Sequence, residues 1–395
     1  MARRPLASRL PAFPWDSLAA AQQRAAEHPG GIVNLSVGTP MDSTPGSVQA
    51  ALADASDSHG YPTVLGTQEL REALVRFVRE HRGAPEQLGV EHVLGTIGSK
   101  ELVGHLPFQL GIGAGEIVAH PHIAYPTYDM GARFVGAEPL PVNIARLADT
   151  GSLTQAAQPT AEPGGAGGSA DADRVSLLWL NSPSNPTGEV MSVEQLRAIV
   201  DWAREHDVIV ASDECYALLP WTVQDVPSIL DVRVNGGDLT NLLCTYSLSK
   251  QSNLAGYRAA FVAGDPALIR ELVEVRKQAG MMMPGPIQHA MTVALADLAA
   301  VRAQHEVYRA RRELLKPALE AFGGQVHGSD AGLYLWTTFA ESGDESVTRL
   351  AELGILCAPG RFYGSAGERF VRVALTETDE RIRAAAERLH AAAEH

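Results

Sequence analysis

The sequence predicts an α/β protein, with a larger domain built on a mostly parallel, helix-covered sheet and a smaller α+β domain after it. Three observations lead there. Short apolar runs alternate with amphipathic stretches through the first two-thirds of the chain. Several runs end on polar, conformationally special residues: NSPSNPTG, DECY and SLSK. After Met281-Met282-Met283-Pro284 the pattern changes to longer helices with short strands.

Along the chain, the first clear helix is 67–82. Leu70, Leu74, Phe77 and Val78 share one face, Thr67 can cap its start, and Gly83 follows a basic last turn. Residues 116–120, 175–180, 208–212, 241–246 and 258–263 read as strands, nearly continuous in apolar character as strands covered on both faces are. The stretch 150–173, rich in Ala, Gly, Pro and Ser, reads as a surface loop of variable length. A second helix begins at Ser192. Gln195 completes a capping box there, and Leu196, Ile199, Val200 and Ala203 follow at helical spacing. Short strands are expected at 332–337 and 370–375, and no internal repeat is visible.

A chain of 395 residues, 45% hydrophobic, can bury a large core and form two or three domains. With 32 basic against 46 acidic side chains the net charge is -14, which argues against nucleic acid or an anionic membrane surface as the main partner. The N-terminus MARRPLASRLPAFPW has no apolar stretch behind its charge, and no run is long enough to span a bilayer. Cys215, Cys244 and Cys357 are odd in number and contain no CxxC pair, so neither a disulfide framework nor a structural zinc site is expected. A reduced, cytoplasmic setting fits best.

The segment Ser247-Leu248-Ser249-Lys250, followed by Gly256 and Arg258, puts a lysine in a polar loop after a strand. By itself that reads as an exposed loop lysine. A free lysine, with a pKa of ~10.4, is neutral in only about one molecule in a few thousand at pH 7, so a reactive one needs burial or a neighbouring cation. Arg258 can supply that charge and bind a phosphate, and Ser247 and Ser249 add hydroxyl donors. Upstream, Asp213 ends an apolar strand with Tyr216 three residues on; the plain reading is a turn or cap, the chemical one a carboxylate facing a protonated pyridine nitrogen. Asn185 in NPTG is a turn former that can also offer its amide to a ring hydroxyl. Gly98-Ser99-Lys100 opens a helix, where unpaired N–H groups and the helix dipole suit a phosphate as well as an ordinary serine cap.

In combination, NPTG, DxxY and SxSKxxxxxGxR occur in the order and at the spacing of a large family. The chain resembles the class I/II aminotransferases of the aspartate aminotransferase type, from LSVGTP near Gly38 to FVRVALT near Arg372. The resemblance implies pyridoxal 5'-phosphate and the fold type I architecture. That architecture has an N-terminal arm and part of the small domain in 1–40, a large cofactor domain with a mixed, mostly parallel sheet in 41–283, and a small domain in 284–395. It assigns Lys250 to the Schiff base with the cofactor and to proton transfer, and Asp213 to the pyridine nitrogen. Asn185 and Tyr216 match the ring-oxygen partners, while Gly98, Ser99, Lys100, Ser247 and Arg258 match phosphate contacts. Tyr125 matches the residue stacked on the ring. Tyr61 matches a tyrosine that reaches the neighbouring subunit's phosphate, which implies a homodimer. Arg372 matches the bidentate grip on the substrate carboxylate, over which Asn34 and Gly38 close. Ala260 departs from the family's usual glycine but removes no chemical group.

The stretches GSKELVGHLPFQLGIG, PHIAYPTYDMGARFVGAEPLPV and SLSKQSNLAGYRAAFVAGD are most similar to N-succinyldiaminopimelate aminotransferases of lysine biosynthesis. The resemblance thus implies glutamate and 2-oxoglutarate as one pair and N-succinyl-LL-2,6-diaminopimelate as the other amino compound. Lys100 is a candidate for either a phosphate or a distal carboxylate. An aspartate or broad-specificity aminotransferase is the nearest rival, and the same fold and lysine serve carbon–sulfur lyases. A cofactor-sensing transcription regulator would need an added DNA-binding region, for which no room precedes Pro40. Gly111-Ile112-Gly113-Ala114-Gly115 mimics a dinucleotide fingerprint but comes before a strand instead of after one. His120 and His122 lack the carboxylate or cysteine company of a metal site. The three methionines at 281–283 are expected to pack flexibly where the domains join, near the site entrance.

Overall fold

The computed structural model describes residues 5, 7, 10–157 and 172–394. Behind β1 (Val33–Asn34) come the seven strands of the main sheet. These are β2 (Val93–Ile97), β3 (Ile117–Pro121), β4 (Glu138–Val142), β5 (Val175–Asn181), β6 (Ile209–Asp213), β7 (Leu242–Ser247) and β8 (Ala259–Gly264). Their order is β2-β8-β7-β6-β5-β3-β4. Neighbours run parallel except for β8, which is antiparallel to both β2 and β7. This is the mixed, mostly parallel sheet expected of the sequence. Its strands read as unbroken apolar runs because both faces are covered: Leu178 and Leu180 of β5 enter one core, and Leu177 and Trp179 enter the other.

Eight helices position the site: α1 (Gln68–Arg82), α2 (Ser99–Gln109), α3 (Thr127–Val135), α4 (Val193–Glu205), α5 (Leu248–Gln251), α6 (Gly285–Ala296), α7 (Leu298–Ala321) and α8 (Asp379–Ala393). In α1 the Thr67 hydroxyl accepts from the Leu70 N–H at 3.2 Å, and Gly83 ends the helix in left-handed backbone at φ 65°. Ser192 and Gln195 close a reciprocal capping box at α4, at 3.2 and 3.0 Å. Both helix starts fall where the sequence placed them.

The second sheet is antiparallel and joins β9 (Gln325–His327), β10 (Tyr334–Thr338), β12 (Ala358–Pro359) and β13 (Val371–Ala374) in the order β12-β13-β10-β9. A separate parallel pair, β1 with β11 (Ile355–Leu356), ties the N-terminal segment to this half of the molecule. The smaller core gathers Tyr308, Leu315 and Leu319 of α7, Ile382 and Leu389 of α8, and the apolar face of β10 and β13.

Several details differ from the sequence reading. Lys250 lies in the short helix α5, not in an irregular loop, because the Ser247 hydroxyl accepts from the Ser249 N–H and starts a turn. Arg258 stands outside β8, in left-handed backbone at φ 56°. Within 150–173, residues Leu153–Ala156 form a helical turn capped by Ser152, and 158–171 lie outside the described residues. A division at 283/284 would leave α6 with the small domain, yet its Ala290, Met291, Ala294 and Leu295 pack into the large-sheet core. Met283 is buried in that core, its methyl against Gly95, instead of standing at a site entrance. Gly111–Gly115 form the turn between α2 and β3.

Candidate active site

The parallel register brings Asn181, Asp213 and Thr245 side by side at the carboxyl ends of β5, β6 and β7. Asp213 is buried. Its carboxylate accepts from the Tyr128 phenol at 2.9 Å and from the Cys215 N–H at 3.3 Å. Burial pushes its pKa up, against those two hydrogen bonds, and the groups acting most strongly on it (Cys215, Tyr128, Glu214) include no cation. A buried carboxylate in that condition fits a cationic ring N–H. The Asn181 side chain donates to the Asp213 carbonyl at 2.9 Å and accepts from the Asn185 N–H at 2.7 Å, which fixes the NPTG turn beside the same strand end.

A cradle for an anion lies at the other side of β7. Gly98 has φ 79°, and a Cβ there would overlap the Arg258 guanidinium, so only glycine lets the arginine cross the start of α2. Ser99 is the first residue of that 11-residue helix, whose leading N–H groups have no partner within the helix. Ser247 caps α5 and donates to the Ser249 hydroxyl at 2.9 Å. Guanidinium, helix start and hydroxyls together suit a phosphate. Lys100 departs from the expected set: its ammonium lies over the Tyr125 ring at 5.8 Å and the Phe13 ring at 5.9 Å. Its backbone belongs to the cradle and its side chain to the neighbouring cavity.

Between these two ends, the half-buried Lys250 side chain donates to the Gly38 carbonyl. Burial lowers its pKa most, and among the cations Arg372 outweighs Arg258 in pushing the same way, while Tyr334 opposes them. Arg258 is therefore a lesser source of the charge effect than the sequence suggested. Arg372, 3% exposed, donates to the Asn185 side-chain oxygen at 3.0 Å and to the Ser36 carbonyl at 2.7 Å. It lies 4.0 Å from the Tyr334 ring centre and 5.0 Å from that of Tyr363. Its buried Nε has no hydrogen-bond partner, an open donor where a carboxylate would meet the fork. The Tyr216 and Tyr334 hydroxyls are 3.2 Å apart.

Two expected residues stand apart from this cluster. Asn34 turns its oxygen to the Ser36 N–H and hydroxyl, at 3.1 and 2.7 Å, so it shapes the turn whose Ser36 carbonyl touches Arg372. Tyr61 is 99% exposed on the surface of its own chain. Four residues escaped the sequence reading: Ser36, Tyr128, Tyr334 and Tyr363. Tyr128 had a signal, as the second aromatic of YPTY, but Tyr334 in GLYLW reads as plain strand core.

Tyr125 stands edge-on to Tyr128, 6.1 Å between ring centres, and lines a cavity of about 970 Å³. Phe13, Trp15, Phe134 and Phe362 supply apolar walls, Lys100 and Arg258 charged ones. His120 also faces it, buried, with Nε2 unpartnered. Among the described residues no cluster of His, Cys, Asp and Glu could hold a metal ion.

Residues 30–389 match the family model "Aminotransferase class I and II". The chain is 48% identical over 380 residues to the 4-dedimethylamino-4-oxo-anhydrotetracycline transaminase OxyQ of Streptomyces rimosus, covering 96% of this chain and 99% of that one. It is also 48% identical to a probable aminotransferase of Mycobacterium tuberculosis, covering 98% of this chain and 87% of the other. Among solved structures, a probable N-succinyldiaminopimelate aminotransferase from Thermus thermophilus superposes with a TM-score of 0.81 at 27% identity, over 96% of this chain and all (100%) of that one.

Proposed function

The chain belongs to the class I and II aminotransferases, which are pyridoxal-phosphate enzymes. On that premise we propose that it moves an amino group between glutamate/2-oxoglutarate and N-succinyl-LL-2,6-diaminopimelate with its 2-oxo counterpart. The observation that carries an amino-acid substrate is Arg372, buried with an open Nε and set among the residues that surround Lys250. When bound, pyridoxal phosphate supplies an electron sink for the charge left on the substrate α-carbon.

This chain's residues do the rest. Gly98, Ser99, Ser247 and Arg258 hold the phosphate, with the backbone of Lys100. Asp213, steadied by Tyr128 and the Cys215 N–H, keeps the ring nitrogen protonated. Tyr125 would stack on the ring. Arg372 occupies the Asn185 oxygen, so the Asn185 amide N–H is the group left for the ring oxygen, beside Tyr216. Lys250 would hold the cofactor and, freed by substrate, would serve as the base for the α-proton; burial lowers its pKa, which favours the neutral amine that this role needs. Arg372 and the loop at Gly38 fix the substrate carboxylate. Tyr61 completes the partner's phosphate site, in a homodimer. Three buried free cysteines suit a reducing cytoplasm.

A second substrate reading has its own support. The 970 Å³ cavity walled by Phe13, Trp15, Phe134 and Phe362 is roomier than a single side chain needs, and it favours a fused-ring ketone of the kind named in OxyQ. The test is to incubate the holoenzyme with glutamate and N-succinyl-2-amino-6-oxopimelate, oxaloacetate or a fused-ring ketone, measuring 2-oxoglutarate. The succinylated acceptor is expected to give the highest kcat/KM. Preference for oxaloacetate or the ketone replaces that substrate, and pyruvate with a thiol from a cysteine conjugate would mark a lyase.

A further inference from the structure

Tyr334 is buried in β10, paired opposite Ala374 of β13, and its phenol reaches across to Tyr216 with 3.2 Å between the oxygens. The two rings meet edge to face at 5.7 Å and 71°. Arg372 covers one face of the Tyr334 ring at 4.0 Å. On the oxygen side the Gly38 backbone comes so close that a Cβ there would overlap the phenol, and Gly38 also accepts from Lys250. Ring, backbone and guanidinium therefore fix the Tyr334 oxygen beside that of Tyr216.

We propose that Tyr334 is a positioning residue: its hydroxyl donates to the Tyr216 oxygen, and the Tyr216 proton is thereby left to face the cofactor's ring oxygen. This rests on the reading above, in which Tyr216 is a ring-oxygen partner. The direction of the bond follows from the proton count: Tyr216 has one hydrogen, and if that hydrogen goes to the ring oxygen, Tyr216 can meet the Tyr334 oxygen at 3.2 Å only as acceptor. Burial alone would raise both phenols, and it does raise Tyr216 well above its ordinary value, helped by its neighbour. At Tyr334 burial is opposed by the Arg372 and Lys250 cations, which hold its pKa below the ordinary phenol value. With the bond reversed, the Tyr216 proton would be spent on Tyr334 and the ring oxygen would keep only the Asn185 amide as donor.

The experiment follows the visible absorbance of the lysine-bound cofactor with pH in holoenzyme carrying Y216F, Y334F or both. A donor to the ring oxygen favours its ionised form, so losing the donor raises the midpoint. Y216F is expected to raise it, and Y334F to raise it by about half a unit, the size of one ordinary hydrogen bond. The double variant should match Y216F alone, because Tyr334 acts only through Tyr216. Full cofactor loading of Y334F, which keeps its ring on Arg372, separates this from a packing defect. An unchanged Y334F midpoint beside a shifted Y216F overturns the inference alone, and so does additivity in the double variant. An unchanged Y216F midpoint overturns both the inference and the role given to Tyr216.

Discussion

Lys250 shows what an environment does to one residue. A solvated ammonium holds its proton to about pH 10.4, but here burial lowers that value, with Arg372 and Arg258 adding to it. Replacing it by alanine should abolish any borohydride-reducible link to the cofactor and cut amino transfer at least about a hundredfold. A reducible adduct surviving in Lys250→Ala would remove the residue from its role. The same shift has a stability consequence. Between the lowered folded pKa and about 10.4, the unfolded chain holds a proton that the folded chain has lost, so cofactor-free wild type gains stability as pH rises. Lys250→Met lacks that gain. Its advantage in thermal midpoint should be largest below the folded pKa and should shrink as pH approaches 10; a constant gap would contradict the shift. At Gly98, alanine would meet both an unfavourable φ of 79° and the Arg258 guanidinium. Equilibrium titration of Gly98→Ala should show weaker cofactor binding, beside a loss of about 1 kcal/mol in apoprotein stability from the strained backbone.

At the scale of elements, the site depends on how α1 is fastened to the end of β6. Arg82, in the last turn of α1, donates from two nitrogens to Glu214 at 2.7 and 3.1 Å, and Glu214 also accepts from the Ile229 N–H at 2.8 Å. Both side chains are essentially inaccessible. Arg82→Leu would strand the Glu214 charge next to Asp213, and urea unfolding should register a loss of about 3–5 kcal/mol. Thr67→Ala, at the other end of the same helix, removes a partly exposed cap and should cost only about 1 kcal/mol. If the two losses were equal, the ion pair would be solvated rather than buried. Less is gained from the many exposed pairs, such as Lys277 with Glu274, whose contribution falls to a fraction of 1 kcal/mol.

For the whole molecule, the site stands where two cores meet. The strand ends that carry Asp213 and Lys250 belong to the large sheet, but Cys215 and Tyr216, two and three residues past Asp213, pack in the small-domain core. Tyr308 of α7 donates to the Lys250 carbonyl at 3.2 Å across the same junction. In the proposed homodimer, Tyr61 of one chain completes the site of the other. Chains carrying Lys250→Ala and chains carrying Tyr61→Ala should complement on mixing, since each hybrid has one site with native Lys250 and a native Tyr61 from its partner. At cofactor levels too low to saturate Tyr61→Ala, hybrids should show activity absent from either parent. No recovery would place Tyr61 outside the neighbouring site.

The cofactor end of the site was legible because its chemistry is local in sequence. A β-strand that ends on Asp213, or that runs out into NSPSNPTG or SLSK, puts those groups at a carboxyl edge wherever the strand lies in the sheet, and parallel strands align those edges. The helices at Thr67 and Ser192 were legible for the same reason, since caps and periodicity span only a few residues. Contacts between distant segments were not. Arg372 and Asn185 are 187 residues apart, and Tyr216 and Tyr334 are 118 apart. The unbroken apolar run Leu333-Tyr334-Leu335-Trp336 marks Tyr334 as buried, but such a run does not say what each side chain meets. The sequence by itself determined the fold class and pointed to the lysine and most of the groups proposed to hold a pyridoxal phosphate. Only the tertiary structure decided which hydroxyl serves Tyr216, which carbonyl and amide hold Arg372, and how much space lies beyond Tyr125, because packing between distant elements sets all three.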